Sequence, residues 1–338
     1  MLWFYFILCA AIILFFGSLL SRYGDVIAEK TGLGRVWAGL LLLAIITSLP
    51  EIITGISAVS IVGGHEGADL ALGTIFGSNA LNLFLLAVLD TVSRDGPLLT
   101  IGYARTGHIL SAALGIALIS IAGIIIFVSA NLWDGAIGRL GLYGLLLVIV
   151  YIIGSRIIFK RERLPPYEAE AIHQRYASVS RKKAYVMFAI SAVAIVSAGT
   201  WLAIIGDEIS TTYGLDASFV GSLLLAITTS LPELVVAATA LRIGAPDMAI
   251  ADILGSNMFN IGVGVFCYDI FSSEGPIFWL ASRSHIFTAC LVVLMTLVVV
   301  LGLVARTQKR LLRVSWYSLA LAILYLAGAY VIFAQPWN

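Results

Sequence analysis

A seven-residue segment occurs twice in this chain, each time inside a long apolar stretch. The first copy, residues 45–51, is Ile-Ile-Thr-Ser-Leu-Pro-Glu, and the second, residues 227–233, is Ile-Thr-Thr-Ser-Leu-Pro-Glu. A carboxylate at the centre of a bilayer costs about 2.5–3.5 kcal/mol on insertion scales, and the adjacent proline removes a backbone hydrogen bond. The sequence carries this unfavourable combination twice. The repetition predicts a membrane protein with a binding site where its two repeats meet.

The composition is that of a membrane protein. Of the 338 residues, 60% are hydrophobic and 12% are charged, and this is about half the charged fraction of a typical soluble domain. The four histidines and three cysteines are scattered without the spacing of a zinc site, so we expect neither an enzyme nor a resident cofactor. The net charge of +1 comes without a basic cluster, so no nucleic-acid partner is expected.

Ten segments of the sequence are long and apolar enough to cross the bilayer as helices, since its hydrocarbon core is about 30 Å thick. The sequence therefore predicts an all-α polytopic membrane protein with ten transmembrane helices. The predicted spans are about 2–21, 36–62, 70–91, 107–129, 138–156, 184–206, 217–243, 248–271, 285–305 and 314–334.

The two halves of the chain match at polar as well as apolar positions. With an offset of 182, residues 24–51 are identical to residues 206–233 at 16 of 28 positions. With an offset of 178, the Gly-Ser-Asn segment at 77–79 aligns with the one at 255–257. Unrelated hydrophobic helices would share Leu and Val, not Gly, Pro, Glu and Asn in register, so these matches indicate an internal duplication.

The basic residues predict the orientation and the division into domains. When the predicted loops are assigned alternately to two sides, 18 of the 20 lysines and arginines fall on one side. The positive-inside rule makes that side cytoplasmic and places both termini outside. Because five helices per half is an odd number, we expect two inverted five-helix repeats, 1–156 and 184–338, joined by a cytoplasmic linker at 157–183.

The repeated motifs place oxygen atoms near the middle of the membrane. Each proline frees a backbone carbonyl, which is tolerated in a bilayer only where it lines a cavity or binds a ligand. Hard oxygen ligands suit Ca2+, Na+, K+ or protons rather than soft metals. The side chains of this set are Thr47, Ser48 and Glu51 in the first copy and Thr229, Ser230 and Glu233 in the second.

The Gly-Ser-Asn segments are predicted to form a second wall of the same site. Thr74 and Asp252 precede them at equivalent positions, so Asp252 is a third carboxylate within the membrane. For a single Gly-Ser-Asn segment, helix packing is as good an explanation as a binding site. A single proline could likewise mark only a helix kink. Two copies of both features in register favour a binding site. The candidate residues of this wall are Thr74, Ser78, Asn79, Asp252, Ser256 and Asn257.

The three carboxylates of Glu51, Glu233 and Asp252 would repel one another if all were ionised in an empty site. A Ca2+ ion, which takes about 6–8 oxygen ligands, could be surrounded by these groups, and so could several monovalent ions or protons. Shared ligands would make the two kinds of cargo mutually exclusive, which is the physical basis of antiport. Asp90 and Asp269, near helix ends, are expected to be solvated rather than to line an exit path.

These motifs resemble the two alpha-repeats of the calcium/cation antiporter superfamily, and most closely its prokaryotic Na+/Ca2+ exchangers. The residues 47–51 and 77–79 and their second copies carry the resemblance, which covers nearly the whole chain. It implies that Glu51 and Glu233 are the main cation ligands, that backbone oxygens near Thr47 and Thr229 contribute, and that Asp252 lies beside the central site. It also implies a prokaryotic plasma membrane, and a first and sixth helix that slide across the rest.

Three positions depart from the pattern of that family. Thr74 stands where Asn is usual, and Leu70 and Met248 stand where sodium exchangers carry small hydroxyl residues. Neither Leu nor Met offers a hard oxygen ligand, which puts the outer sodium sites in question.

The expected function is secondary active antiport of Ca2+ against Na+. The alternative on the same fold is a Ca2+/H+ antiporter or a monovalent cation/proton exchanger. A membrane-embedded enzyme or a non-transporting scaffold is a third hypothesis, which the paired carboxylates disfavour. The expected partners are Ca2+, Na+ or H+ and the lipid bilayer, and a monomer is consistent with the pattern.

Overall fold

Helices make up most of the described chain. This computed structural model describes residues 1–32, 34–93, 96–101, 105–129, 136–137, 140–161, 176, 178–212, 227–305, 310–311 and 314–334. The long helices are α1 (Leu2–Thr31), α2 (Arg35–Val62), α3 (Gly64–Val92), α5 (Arg105–Ser129), α6 (Leu142–Arg161), α7 (Arg181–Thr212), α9 (Pro246–Phe271), α11 (Ser284–Ala305) and α12 (Trp316–Ala334). The shorter helices are α4 (Leu98–Ile101), α8 (Leu231–Arg242) and α10 (Ile277–Leu280).

Two short antiparallel hairpins precede α6 and α12. Strands β1 (Ala136–Ile137) and β2 (Leu140–Gly141) pair with Ala136 opposite Gly141. Strands β3 (Arg310–Leu311) and β4 (Val314–Ser315) pair in the same way, with Arg310 opposite Ser315.

Among the described residues, eight helices are long and apolar enough to cross a bilayer. The apolar part of α12, Trp316–Ile332, is a shorter ninth candidate. The predicted span 217–243 is described only from residue 227 onward, so the described residues do not establish the count of ten. The linker 157–183 also lies mostly outside them.

The first helix is longer than the predicted span 2–21. It continues through polar residues to Thr31 and ends at Gly32, which adopts a left-handed conformation with φ of 70°. Glycine has no Cβ and adopts this conformation without steric strain. The end of α1 was therefore set by a glycine cap and not by the end of the apolar run.

The central helices are α3 and α9, and the outer helices face lipid. Of the most apolar 18 residues in each helix, 72% are buried in α3 and 83% in α9, whereas only 28% are buried in α1 and in α6. Large side chains on the outer helices are exposed, for example Ile152 at 57% and Val193 at 68%. An apolar surface of this extent is typical of helices that face lipid.

The proline of the first motif lies inside a continuous helix. Pro50 lies in the α-helical part of α2, Ala44–Ser57. Wider π-helical turns at Ala38–Leu43 and Ala58–Val62 flank that part, and such turns often accompany functional sites. In the second motif, Pro232 instead lies in the first turn of α8, where a missing backbone N–H costs little.

Two buried aspartates fasten helix ends in equivalent ways. The expectation that Asp90 and Asp269 are solvated is wrong, because both are 0% exposed. Asp90 accepts hydrogen bonds from Leu98 N at 2.7 Å and from the Tyr317 hydroxyl at 2.6 Å. It also accepts bonds from Ser315 N and the Ser318 hydroxyl. Its carboxylate therefore joins the end of α3 to α4 and α12.

The second aspartate repeats this arrangement. Asp269 accepts hydrogen bonds from Ile277 N and the Tyr143 hydroxyl, both at 2.8 Å, and from Gly141 N at 3.1 Å. The sequence signal for this pair is a duplicated Asp-x-x-Ser-x-x-Gly-Pro pattern at 90–97 and 269–276. Burial was not foreseen because the pattern does not show that a tyrosine from a distant helix would cover each carboxylate.

We expect Asp90→Ala to destabilise the protein, because several buried donors would lose their acceptor. Each buried polar group left unpaired costs about 1–3 kcal/mol. Thermal unfolding of the purified protein in detergent should show a clearly lower midpoint than for Tyr317→Phe, which removes only the hydroxyl. Equal midpoints for Asp90→Ala and the unsubstituted protein would contradict the anchoring role.

Candidate cation-binding site

The two glutamates of the repeated motifs meet in the interior of the helix bundle. Glu51 on α2 and Glu233 on α8 are both 0% exposed. The Ser48 hydroxyl donates to Oε1 of Glu233, and the Ser230 hydroxyl donates to Oε1 of Glu51, each at 3.4 Å. Each serine therefore binds the glutamate of the other motif, so the two motifs form one site.

Thr47 connects this pair to α9. Its hydroxyl oxygen lies 3.3 Å from that of Ser256 and also faces the carboxyl groups of Glu233 and Asp252. The Thr47 hydroxyl has the Leu43 carbonyl oxygen as an acceptor at 3.2 Å. The Thr47 hydroxyl therefore lies where α2, α9 and the acidic side chains meet.

Several carboxylate oxygens of the site accept no hydrogen bond from the described residues. They are Oε2 of Glu51, Oε2 of Glu233 and both carboxylate oxygens of Asp252, which is also 0% exposed. A buried polar atom without a partner is unfavourable. These oxygens are available to a cation or a proton.

The carboxylates alone do not form a compact metal cage. No three Asp, Glu, His or Cys side chains within the described ranges lie close enough together to hold one metal ion. A cation bound between Glu51 and Glu233 would therefore need hydroxyl or backbone oxygens to complete its coordination. The hydroxyl groups of Thr47, Ser48 and Ser230 are adjacent.

The asparagines of the Gly-Ser-Asn segments bind one another. Asn79 Nδ2 donates to the Asn257 carbonyl at 3.1 Å, and Asn257 Nδ2 donates to the Asn79 carbonyl at 3.0 Å. Asn82 and Asn260 donate to the side-chain oxygens of this pair. These bonds fasten α3 to α9 directly beside the acidic site.

The other candidate residues differ in their position relative to the carboxylates. Ser78 is buried and lies beside Glu51, and Thr229 is fully buried within the second motif. The Thr74 hydroxyl instead donates to the Leu70 carbonyl at 2.8 Å, on a partly exposed part of α3. The Thr74 side chain is therefore bonded to its own helix and not to the acidic side chains.

Two residues beside the site were not foreseen from the sequence. The Tyr268 hydroxyl donates to the Glu51 carbonyl at 3.2 Å. On α7, Gly199 packs against both prolines, because a Cβ there would lie 2.7 Å from Cγ of Pro50 and 3.7 Å from Cγ of Pro232. The sequence signal for Gly199 was the internal repeat, because the offset of 182 aligns Gly199 with Gly17.

The glycine of the second Gly-Ser-Asn segment marks a close contact between α9 and α2. A Cβ on Gly255 would lie 2.7 Å from the Leu40 carbonyl oxygen and 2.8 Å from the Ala44 Cβ, and Met248 on the same helix is fully buried. The α9 side of the site is thus covered by α2. The repeat aligns the covering residues 38–44 with residues 220–226, which lie outside the described part of the chain.

A family model for sodium/calcium exchanger proteins matches residues 1–159 and 183–334. The chain belongs to the sodium/calcium exchanger family. It is therefore an integral membrane protein and a cation transporter, not an enzyme. The resemblance noted in the sequence is confirmed.

Known relatives and solved structures agree with this membership. The inner membrane protein YrbG of Escherichia coli is 26% identical over 75% of this chain and 77% of its own. The sodium/calcium exchanger MaX1 of Methanosarcina acetivorans is 23% identical over 92% of this chain and 93% of its own. A structure of the sodium-calcium exchanger NCX_Mj superposes with a TM-score of 0.71 at 20% identity, covering 99% of this chain and all of that one (100%), and this shows a shared fold.

We expect alanine at Gly255 to destabilise the protein. The Gly255→Ala Cβ would overlap the backbone of α2, and overpacking of this kind typically costs about 1–3 kcal/mol. Thermal unfolding of the purified variant should show a lower midpoint than that of the unsubstituted protein. An equal midpoint would contradict the close contact between α2 and α9.

Proposed function

We propose that this protein exchanges Ca2+ for Na+ across the membrane by alternating access, with the cations bound between Glu51 and Glu233. The observation that carries the proposal is the crosswise pairing of Ser48 with Glu233 and of Ser230 with Glu51, at 3.4 Å each. This pairing brings two buried acids from distant parts of the chain together, with unpaired oxygens available to a cation.

Repeated contacts support two inverted halves, 1–156 and 184–338, joined by the linker 157–183. The asparagine pair and the two aspartate anchors recur with equivalent partners from the opposite half. On the charge pattern, we place the linker in the cytoplasm and both termini outside a prokaryotic plasma membrane. MaX1 and NCX_Mj, which are named as sodium/calcium exchangers, support the choice of cargo.

In this proposal the ligands include more than the glutamates. Thr47, Thr229, Ser48 and Ser230 contribute hydroxyl or backbone oxygens, and Asp252 lies beside the central site. The residues of the second wall, Thr74, Ser78, Asn79, Ser256 and Asn257, support or extend this set. Na+ and Ca2+ then compete for the same oxygens, so both are not bound at once.

We expect Glu51→Gln and Glu233→Gln each to abolish measurable Ca2+ flux. Removing one partner of a buried charge pair costs about 3–5 kcal/mol, which weakens binding by more than roughly a hundredfold. Uptake of 45Ca2+ into proteoliposomes is the measurement. Glu66→Gln is the control, since Glu66 is an exposed acid at the start of α3 and should retain uptake; normal flux in both site variants would refute the assignment.

Proton coupling is the second candidate function. Leu70 and Met248 offer no side-chain oxygen where Na+ would be bound, and the Thr74 hydroxyl is engaged with the Leu70 carbonyl. The free oxygens of Asp252 and of the glutamates could carry protons instead. Ca2+ and protons would then compete for the same carboxylates.

Ion gradients imposed one at a time distinguish the two functions. For Na+ exchange, proteoliposomes loaded with Na+ should take up Ca2+ well above choline-loaded controls at equal internal and external pH. A pH gradient without Na+ should then drive little uptake. The reverse pattern would replace Na+ by H+ as the counter-transported ion and leave the carboxylate site unchanged.

A further inference from the structure

A buried tyrosine holds the backbone of the turn that carries Glu51. The Tyr268 side chain on α9 is fully buried, and its hydroxyl donates to the Glu51 carbonyl oxygen at 3.2 Å. One turn further along α2, Gly55 lies against the phenol ring, and a Cβ there would overlap the ring and its hydroxyl. The tyrosine therefore contacts two successive turns of α2 at the position of the glutamate.

Tyr268 is itself held in place through the next residue of α9. Asp269 accepts hydrogen bonds from two backbone N–H groups and from the Tyr143 hydroxyl. A supporting side chain keeps a binding residue in position only when the support is itself fixed by its neighbours. The contact from Tyr268 therefore ties the backbone of Glu51 to the anchored end of α9.

The hydrogen bonds to the two glutamate carboxyl groups are longer than this support. The bond from Ser230 to Glu51 and the bond from Ser48 to Glu233 each measure 3.4 Å, whereas hydrogen bonds between oxygens are usually about 2.7–2.8 Å long. Two ionised carboxylates also repel each other in the absence of a cation. The backbone contact from Tyr268 adds positional support that the long serine bonds lack.

The two halves of the chain differ at both residues of this contact. The duplicated aspartate pattern aligns Tyr268 with Leu89, which has no hydroxyl group, and the offset of 182 aligns Gly55 with Ala237. Leu89 and Ala237 are both buried. The larger side chain of α9 therefore occurs together with the smaller residue of α2, so the space for the phenol ring is provided only where the ring is present.

Helix α9 also carries one residue more than α3 just before the tyrosine. Asn260 aligns with Asn82 at an offset of 178, whereas Asp269 aligns with Asp90 at an offset of 179. The extra residue coincides with the π-helical turn Asn260–Gly264, while α3 is α-helical throughout. Turns of this kind are frequent at functional sites, and this one lies in the part of α9 that leads to the first glutamate.

Ca2+ and Na+ depend differently on the relative position of the two glutamates. Ca2+ takes about 6–8 oxygen ligands, and its affinity rises with the number of charged ligands and with the rigidity of the site. A Ca2+ ion between Glu51 and Glu233 therefore needs both carboxylates in place at once. A Na+ ion carries half the charge, so one carboxylate together with hydroxyl oxygens neutralises it.

We propose that Tyr268 positions Glu51 opposite Glu233 and thereby favours Ca2+ over Na+ at this site. The inference rests on the proposed function, since it takes Ca2+ to be bound between the two glutamates, and it adds a residue that sets the selectivity. Tyr268 is a positioning residue, because its hydroxyl contacts the backbone of Glu51 and not the cargo.

Equilibrium binding of cations to the full chain in lipid nanodiscs tests this role. Tyr268→Phe removes one oxygen and keeps the ring that fills the space beside Gly55. Because one hydrogen bond changes an equilibrium by roughly three- to tenfold, this variant should bind 45Ca2+ more weakly by that factor. The inhibition constant of Na+, measured by competition against 45Ca2+ at fixed pH and ionic strength, should stay nearly unchanged.

Two further variants complete the design. Gly55→Ala combined with Tyr268→Leu introduces the alanine and leucine of the equivalent positions, which fill the space without a hydroxyl, and should weaken Ca2+ binding in the same selective way. This double variant tests the inference even if Tyr268→Phe does not fold. Tyr151→Phe removes the hydroxyl of another buried tyrosine, on α6, and should change neither constant.

The outcomes separate this role from the proposed function. A merely structural tyrosine would weaken Ca2+ and Na+ binding equally, and that result, or unchanged Ca2+ binding in the variants, overturns the inference while exchange by the unsubstituted protein still stands. Binding needs no ion gradient, so a selective loss of Ca2+ affinity supports the inference even if proteoliposomes show no Ca2+/Na+ exchange. In that case only the exchange function fails.

Discussion

The structure depends on burying carboxylates in an apolar helix bundle. A charged group in such an interior is unfavourable unless another group pairs with it. Glu51 and Glu233 each receive a hydrogen bond from a serine of the other motif. The contact between α2 and α8 therefore gives each buried glutamate a donor from the opposite repeat.

Buried acids in this protein fall into two groups with different hydrogen bonding. Asp90 and Asp269 have both carboxylate oxygens occupied by backbone and side-chain donors. Asp252 has neither oxygen occupied by the described residues. A satisfied carboxylate fastens helices, whereas an unsatisfied one in the interior is available to a cation or proton. Burial alone does not separate these roles; the count of donors does.

Close backbone contact joins α2 to α9 beside the site. A Cβ on Gly39 would lie 2.5 Å from the Met248 carbonyl oxygen, and a Cβ on Gly255 would lie 2.7 Å from the Leu40 carbonyl oxygen. Arg35 adds charged hydrogen bonds from the start of α2 to Asp25 and to the Gly244 carbonyl oxygen. The glycines therefore let α2 lie directly over Asp252, which is fully buried.

The sequence by itself determined the membrane class, the place of the eight membrane-length helices that the structure describes, and the pairing of the two motifs. The helices follow from the length of the apolar segments, and the pairing follows from Pro, Glu, Gly and Asn repeated in register. The largest difference in a helix end is at α1, where a glycine cap and not the end of the apolar run terminates the helix.

Only the tertiary structure decided which polar side chains meet. Asn79 binds Asn257, the Thr74 hydroxyl turns back to its own helix, and Asp90 is covered by Tyr317. Each of these outcomes depends on how helices distant in sequence cross and rotate against one another. A one-dimensional pattern gives the face of a helix but not the partner on the facing helix, so the donor count of each buried acid could not be predicted.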